Sequence, residues 1–469
     1  MAGGADGDLP ASCWRCVECR GALVADPTGL DCLGCGRRYP VVGGIPLLVR
    51  NPGGYLRAQR AALAAAVREA RDAMARLGRA EPHVDLPEVT LARHRDVLDV
   101  EARQAELLLE LLAPADASSQ EPACLAAERL GWSIDTLMPY LVRDWTGTAE
   151  LRTASGLIGA ALHLAFPDPR GRSVAYAGCG AGGLLAHVPR GFARAVGFDL
   201  ALPIVAAARH LLDGAALKLP LPRTLNADGQ VTLRGEAPGL PVQLVAMDAL
   251  ETAFPDGSID GAVTMFLTDI LPDPCALARE VHRVLKDGGA WINYGPSGND
   301  LRALWRFDAA EGVAFFAANG FAVEYVEARR GTNLDTSAVC PPVSFRSPIC
   351  YLTVARKAGQ ARPARARPAP PAAALREIVP VHFPGARLIH RLEATDGGIA
   401  FRHERAPGRA EEWTVGVRAA RMLSLVDGKR TVGEIAHRLH RQDPAQPIEE
   451  LIAGFERFFG QGLLGWRAE

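Results

Sequence analysis

The stretch SVAYAGCGAGG, residues 173–183, limits the folds open to this chain more than any other segment. It starts as a short apolar strand, and Gly178, Gly180 and Gly182 then interrupt it where a helix is expected to begin. Glycines at such a junction let the backbone approach a ligand with no Cβ in the way. Strand and helix signals then alternate: ARAVGFDL, an Ala-rich helix near 201–212, VQLVAMDA, DGAVTMFLTDI, a helix over 274–286, and GGAWINYGP. That alternation predicts an α/β fold with a doubly wound parallel sheet. The glycine turn alone does not choose a ligand, because dinucleotide sites and many tight turns share it.

Residues beyond the turn narrow the choice. Asp199 ends the second strand about twenty residues on, where a carboxylate can accept both ribose hydroxyls. Asp248 ends the third strand, at a spacing from which it can reach an adenine amino group. FPDGSIDGAV (254–263) and REVHRVLKDGGAW (279–291) come next. A dinucleotide enzyme has no reason for this series, and its order resembles the Rossmann-like methyltransferases that use S-adenosyl-L-methionine. The resemblance implies that cofactor, with Gly178, Gly180, Gly182, Asp199 and Asp248 binding it.

Two longer segments, VRDWTGTAELR (142–152) and VTMFLTDILPDPCALAREVHRVLKDGGAWINYGP (263–296), are similar to the carnosine N-methyltransferase family over roughly residues 90–357. The resemblance implies that Arg152 holds the cofactor's carboxylate. It also implies that Asp269 is the catalytic contact to the acceptor's imidazole, with Tyr294 and Asn299 beside it in the substrate site. The chemistry is coherent. Neutral imidazole attacks through one nitrogen while positive charge grows on the ring, and a carboxylate on the other N–H fixes the tautomer and stabilises that charge. Holding the reactants in line can supply about 7–11 kcal/mol of the barrier, so positioning is expected to dominate. Ser297, Gly298, Asn299 and Asp300 stand where the family has an aromatic residue and a histidine, and FRSPIC (345–350) lacks the family's tyrosines. These departures point away from carnosine itself, toward another histidine-containing peptide or small molecule. Other acceptors remain open, namely a different metabolite, an RNA or a protein, as does a non-catalytic adaptor that only binds the cofactor.

Five of the ten cysteines fall within residues 13–35. Cys16 and Cys19 are two residues apart, twelve residues intervene, and Cys32 and Cys35 repeat the knuckle. Four thiolates in that pattern suit one tetrahedral Zn2+, whose bonds substitute for a core that some thirty residues cannot build. A register shifted to Cys13 and Cys16, or reduced thiols without metal, remains open at this level. With its CGRRYPVVGGIPLLV tail the stretch resembles the small zinc-ribbon proteins that accompany or activate methyltransferases. The closed coordination set makes the zinc structural.

A chain of 469 residues calls for two or three domains. We expect a zinc ribbon over 1–50, a helical segment over 51–140 with helices at 55–77 and 89–112, and the methyltransferase domain over 141–357. AGQARPARARPAPPAAA (358–374) has the composition of an extended linker, and 375–469 form a small winged-helix-like α+β domain. There Thr431 and Glu434 predict a capping box ahead of Val432, Ile435, Ala436 and Leu439. LVDGKRTVGEIA resembles PqqD-like domains attached to enzymes that modify ribosomally made peptides, which implies a leader peptide bound as an added strand; dimerisation is the alternative. Lys plus Arg total 52 against 53 Asp plus Glu, which gives no reason to expect nucleic acid or an acidic membrane as partner. The N-terminus has neither a basic start nor an apolar run, so a cytoplasmic protein is expected.

Overall fold

The computed structural model describes residues 13–26, 28–79, 87–112, 132–188, 191–271, 273–296, 307–331, 334, 336, 348–359, 376, 379–382, 387–389, 394–395, 398–399, 402–406, 409–410, 417–444, 446–460 and 464–467. One unit draws on 1–298 with 307–362, and a second on 299–306 with 363–469.

The cysteine-rich segment forms an antiparallel meander: β1 (Leu23–Asp26), β2 (Gly29–Cys32), β3 (Arg38–Val42) and β4 (Ile45–Leu48). All four residues of β4 are buried. A strand buried on both faces must lie inside a sheet. β4 meets that need by pairing in parallel with a strand some 200 residues later, Leu47 opposite Ala246 and Leu48 opposite Met247. The ribbon therefore continues the large sheet, where the sequence suggested a separate domain.

Four helices come next: α1 (Pro52–Arg79), α2 (Glu88–Leu111), α3 (Ile134–Trp145) and α4 (Ala149–Ala165). Then come β5 (Ser173–Ala177), α5 (Gly183–Ala186), β6 (Arg194–Asp199) and α6 (Leu202–Leu212). A hairpin of β7 (Ala216–Pro220) and β8 (Gln230–Arg234), absent from the strand–helix alternation expected from sequence, precedes β9 (Val242–Met247). β10 (Ile259–Met265), α7 (Pro274–Val284), β11 (Leu285–Gly295), α8 (Ala309–Ala318), β12 (Phe321–Arg330) and β13 (Ile349–Lys357) complete the unit. The expected helix over 274–286 stops at Val284 because Leu285 is already paired with Ile259.

Eleven strands form one sheet in the order β1-β2-β3-β4-β9-β6-β5-β10-β11-β13-β12. It is parallel from β4 to β11, as the expected doubly wound sheet requires, and antiparallel at both flanks. Strand order reverses between β5 and β10, which places the topological switch point at the carboxyl ends of those two strands. Alternation sorts the side chains: Val174, Tyr176, Leu244 and Ala246 enter the core on one face, and Ala175, Ala177, Val245 and Met247 the core on the other. Trp14, Cys16 and Tyr39 of the ribbon belong to the second core, where Trp14 lies 5.0 Å from Phe254.

The second unit holds β14 (Val379–His382), β15 (Arg387–Ile389), β16 (Ala394–Thr395), β17 (Gly398–Ile399), β18 (Arg402–Ala406), β19 (Arg409–Ala410), α9 (Val417–Ser424), α10 (Val432–Gln442), α11 (Ile448–Gly460) and β20 (Leu464–Arg467). The first and last strands pair antiparallel, and Leu423, Ile435, Leu451 and Phe455 make a core of its own. The predicted capping box is present: Thr431 N–H donates to Glu434 Oε2 at 2.8 Å and Glu434 N–H to Thr431 Oγ1 at 3.2 Å. Of the expected linker, only Ala358 and Gly359 fall among the described residues. Among the described residues no helix is long and apolar enough to cross a membrane.

Candidate active site and metal centre

The turn after β5 takes the conformation its glycines permit, with φ of +65° at Gly178, +51° at Gly180 and +82° at Gly182. A Cβ on Gly178 would lie 3.0 Å from Leu267 and one on Gly182 3.0 Å from Ala208, whereas one on Gly180 would meet nothing within 4 Å. The turn is thus packed on its flanks and open at its middle. Gly180 N–H donates to Asp199 Oδ2 at 3.0 Å, and Ala201 N–H to Asp199 Oδ1 at 2.9 Å. Burial raises the Asp199 carboxyl above its ordinary value, opposed by these N–H bonds, although part of the residue still reaches solvent. A carboxylate offers about four lone-pair positions, so beside the Gly180 and Ala201 bonds and a further backbone contact from Leu200 it keeps capacity for a ligand hydroxyl. On the neighbouring strand Ala246 sits opposite Asp199, and Asp248 lies two residues further on, its Oδ1 accepting the Leu250 N–H at 2.8 Å.

Beneath the turn lies an ion cluster that motif spacing did not single out. Arg143 Nε donates to Asp144 Oδ1 at 2.7 Å, and Arg143 Nη1 lies 3.6 Å from Glu150 Oε1, all three side chains being buried. Asp144 Oδ2 accepts the Gly183 N–H at 3.1 Å, and Trp145 Nε1 donates to the Ala181 carbonyl at 2.7 Å. A Cβ on Gly183 would come within 2.7 Å of Asp144, so only glycine allows this approach. Breaking such a buried pair costs about 3–5 kcal/mol, enough to fix where the turn sits. Burial alone would lower the Arg143 guanidinium; its two carboxylate partners more than offset that and hold it charged. The signal was present in VRDW, whose arginine and aspartate are adjacent. Arg152, the residue implied for the cofactor's carboxylate, lies exposed on the first turn of α4 and donates to the Gly147 carbonyl.

Across the switch point, Phe266 comes directly after β10 with φ of +50°. A left-handed phenylalanine costs about 1–3 kcal/mol and persists only where its surroundings hold it. Here its N–H donates to the Tyr294 carbonyl at 2.9 Å and its ring meets that of Tyr294 edge-on at 5.7 Å. A Cβ on Gly295 would lie 3.1 Å from Phe266 N. Behind them Trp291 Nε1 donates to Thr264 Oγ1 at 2.9 Å, and Thr264 Oγ1 to Asn293 Oδ1 at 2.7 Å. Trp291 and Asn293 of AWINYGP therefore brace the wall, and Tyr294 and Gly295 shape its end.

Tyr294 is buried and hydrogen-bonded to the Cys350 thiol; burial, then the neighbouring Cys350, push the phenol up to about 12. Burial likewise raises Cys350 to about 11, opposed by the Tyr294 bond and reinforced by the Asp269 and Glu150 carboxylates. Asp269 is half-buried in the turn that begins at Leu267, where Ile270 N–H donates to the Leu267 carbonyl at 3.2 Å. Asn299, the third residue assigned to the substrate, lies outside the described residues, as do Ser297, Gly298 and Asp300.

At the ribbon the Sγ atoms of Cys16, Cys19, Cys32 and Cys35 all lie within 4.8 Å of one another. Cys16 and Cys35 are 3.6 Å apart, Cys19 and Cys32 3.4 Å. A tetrahedral Zn–S site with bonds of about 2.3 Å has S–S edges of about 3.8 Å, so the donor set fits that ion. Cys13 is not part of the group, which settles the register. Burial would raise Cys16, but hydrogen bonds from Tyr39, at 3.0 Å, and from the backbone bring it down to about 7. Against opposing backbone bonds at Gly21 and Arg37, the crowded neighbouring thiols push Cys19 up to about 12, and burial with those thiols pushes Cys35 upward, so the metal fit rests on the geometry of the four sulfurs. A Cβ on Gly21 would press at 3.2 Å on both Cys19 Sγ and Cys32 Sγ.

Residues 175–292 match the family described as "Methyltransferase domain". The phosphatidylethanolamine N-methyltransferase of Cereibacter sphaeroides is 34% identical over 93 residues, 18% of this chain and 44% of that protein. The chain thus spans less than half the length of this curated relative. Among solved structures, an S-adenosylmethionine-dependent methyltransferase from Mesorhizobium loti matches at 20% identity and a TM-score of 0.27, over 43% of this chain and 100% of its own. The [4+2]-cyclase SpnF matches at 16% identity and a TM-score of 0.32, over 44% of this chain and 82% of its own. The central unit carries a class I S-adenosylmethionine-dependent methyltransferase domain on a Rossmann-like sheet.

Proposed function

We propose that the methyltransferase domain carried on residues 175–292 transfers a methyl group to the imidazole of a histidine in a small or ribosomally made peptide. The observation that carries this reading is the arrangement at the switch point. An open glycine turn with Asp199 follows β5 and β6, while Tyr294 lies near the carboxyl end of β11 and Asp269 in the turn after its neighbour β10.

S-Adenosylmethionine, when bound, supplies a methyl group already activated on a sulfonium. The open face at Gly180 leaves room for it, the spare lone pairs of Asp199 suit ribose hydroxyls, and Asp248 stands on the next strand for the adenine amino group. Asp269 would accept the acceptor's ring N–H, orienting the other nitrogen's lone pair and stabilising positive charge on the ring. Tyr294, neutral at any physiological pH, contributes shape and a hydroxyl without adding charge. The four ribbon cysteines would hold a structural zinc, since a filled tetrahedral set leaves no position for substrate. The second unit would bind a leader peptide in the manner of PqqD-like domains, raising the acceptor's effective concentration.

The likeness to a phosphatidylethanolamine N-methyltransferase supports a second reading, in which the acceptor is an amine. Mass spectrometry after incubation with labelled cofactor separates the two. A one-methyl gain on histidine is the expected result, and a gain on amines alone would replace the first reading by the second. Asp269→Asn should lower turnover by at least about a hundredfold while leaving cofactor binding intact. Removal of 375–469 should raise the apparent KM for a leader-bearing peptide and leave a short histidine peptide unaffected; equal loss on both would remove the leader-binding role.

A further inference from the structure

α1, expected from sequence to be a packing helix, reaches the cofactor side of the site. Tyr55 and Gln59 lie one turn apart on the same helix face. Tyr55 Oη donates to the Leu200 carbonyl at 2.7 Å, and Gln59 Nε2 donates to the same oxygen at 3.3 Å. Trp132 Nε1 donates to Gln59 Oε1 at 3.1 Å, which fixes the orientation of the Gln59 amide so that its NH2 faces Leu200. Tyr55 and Gln59 are 2% and 0% exposed, so neither polar group has an alternative in solvent.

Leu200 is the residue after Asp199, and its carbonyl lies ahead of α6, whose first bonds are accepted by Ala201. The carbonyl takes no part in the helix's own bonds, and α1 supplies it with two side-chain donors. With two donors on it, the peptide between Leu200 and Ala201 is held, and the Ala201 N–H in that peptide is the one that grips Asp199 Oδ1. Burial, and then the Asp199 carboxylate, keep the Tyr55 phenol far above its ordinary value, so it remains a donor.

We infer that Tyr55, Gln59 and Trp132 form a positioning relay that sets the Asp199 carboxylate for a ligand's ribose, acting through the Leu200–Ala201 peptide. The inference rests on the reading of the site as one for S-adenosylmethionine, and it assigns α1 to ribose recognition. A purely structural role would weaken all ligands of the crevice alike. The relay weakens only the part of binding that depends on the ribose hydroxyls.

The test is calorimetric titration of the full chain with S-adenosylhomocysteine and with its 2′,3′-dideoxy analogue, for wild type, Tyr55→Phe and Trp132→Phe. The expected result for Tyr55→Phe is a Kd raised roughly threefold to tenfold for the intact ligand, the size of one neutral hydrogen bond, and unchanged within about twofold for the 2′,3′-dideoxy analogue, which has no hydroxyl for Asp199 to accept. Trp132→Phe should shift in the same sense by less. Equal weakening toward both ligands, or an unaltered Kd for the intact one, overturns the relay. Wild-type protein that binds neither ligand overturns the methyltransferase reading and the relay with it, an outcome distinct from failure of the relay alone. Should Tyr55→Phe fold poorly, Trp132→Phe, which leaves both donors to Leu200 in place, carries the same comparison.

Discussion

The ribbon and the C-terminal unit are both small additions to the methyltransferase sheet, and they solve the same problem of size in opposite ways. The ribbon is too short for a core of its own. It gathers four thiolates, then lends Trp14, Tyr39 and Leu48 to a core that belongs to the sheet, while β4 pairs with β9. Arg20 adds bonds at 2.6 Å to the Thr252 and Phe254 carbonyls, and Arg15 N–H donates to the Ala253 carbonyl at 2.7 Å. The C-terminal unit, with three helices among its described residues, closes its own core around Phe455 and Leu451 and pairs β14 with β20. A segment below the size of a self-sufficient core must borrow one, and what it borrows it can also disturb.

The sharpest way to break this comparison is to disable the four-cysteine cluster, the proposed zinc site. Structural zinc contributes about 10–16 kcal/mol in small peptides, so chelation or Cys32→Ser should give the largest effect. Because the ribbon shares its core with the sheet, calorimetry should show the sheet transition itself moving to lower temperature. A sheet transition that stays in place while the ribbon alone melts would show that the two are independent after all. Trp14→Ala should come next, costing about 3–5 kcal/mol in the sheet transition through loss of the contact with Phe254. On the other side, Thr431→Ala should remove the α10 cap and cost about 1 kcal/mol in the C-terminal transition only. The smallest effect belongs to Arg50→Ala. Its pair with Glu251 joins ribbon to sheet, but both side chains are more than a third exposed, so solvent screening should hold the loss to under about 1 kcal/mol.

Features written in local sequence were legible in advance. The capping box of α10 needs only Thr431 and Glu434 three residues apart, and the left-handed turn at 178–182 needs only its glycines. The Cys16, Cys19, Cys32 and Cys35 set was legible in its spacing, and three-dimensional proximity removes the alternative through Cys13, which repeats the same spacing before Cys16. Arg143 and Arg152 show what a motif match leaves to the fold. Both fall in one stretch, VRDWTGTAELR, yet the side chain buried beneath the glycine turn is Arg143, and Arg152 faces solvent. Exposure of a helix residue depends on what packs against that face, and no spacing rule supplies this.

The sequence by itself determined the strand-turn-helix that opens the cofactor side, the order of acidic residues on successive strands and the metal-binding residue types. Each of these is set by backbone conformation or donor chemistry within a few residues. Only the tertiary structure decided that β4 joins β9, that α1 holds Leu200 from 145 residues away, and that Phe266 is kept left-handed by Tyr294. Those pairings bring together groups distant along the chain. Their energy comes from burying surface and satisfying polar groups jointly, a condition that no single segment carries.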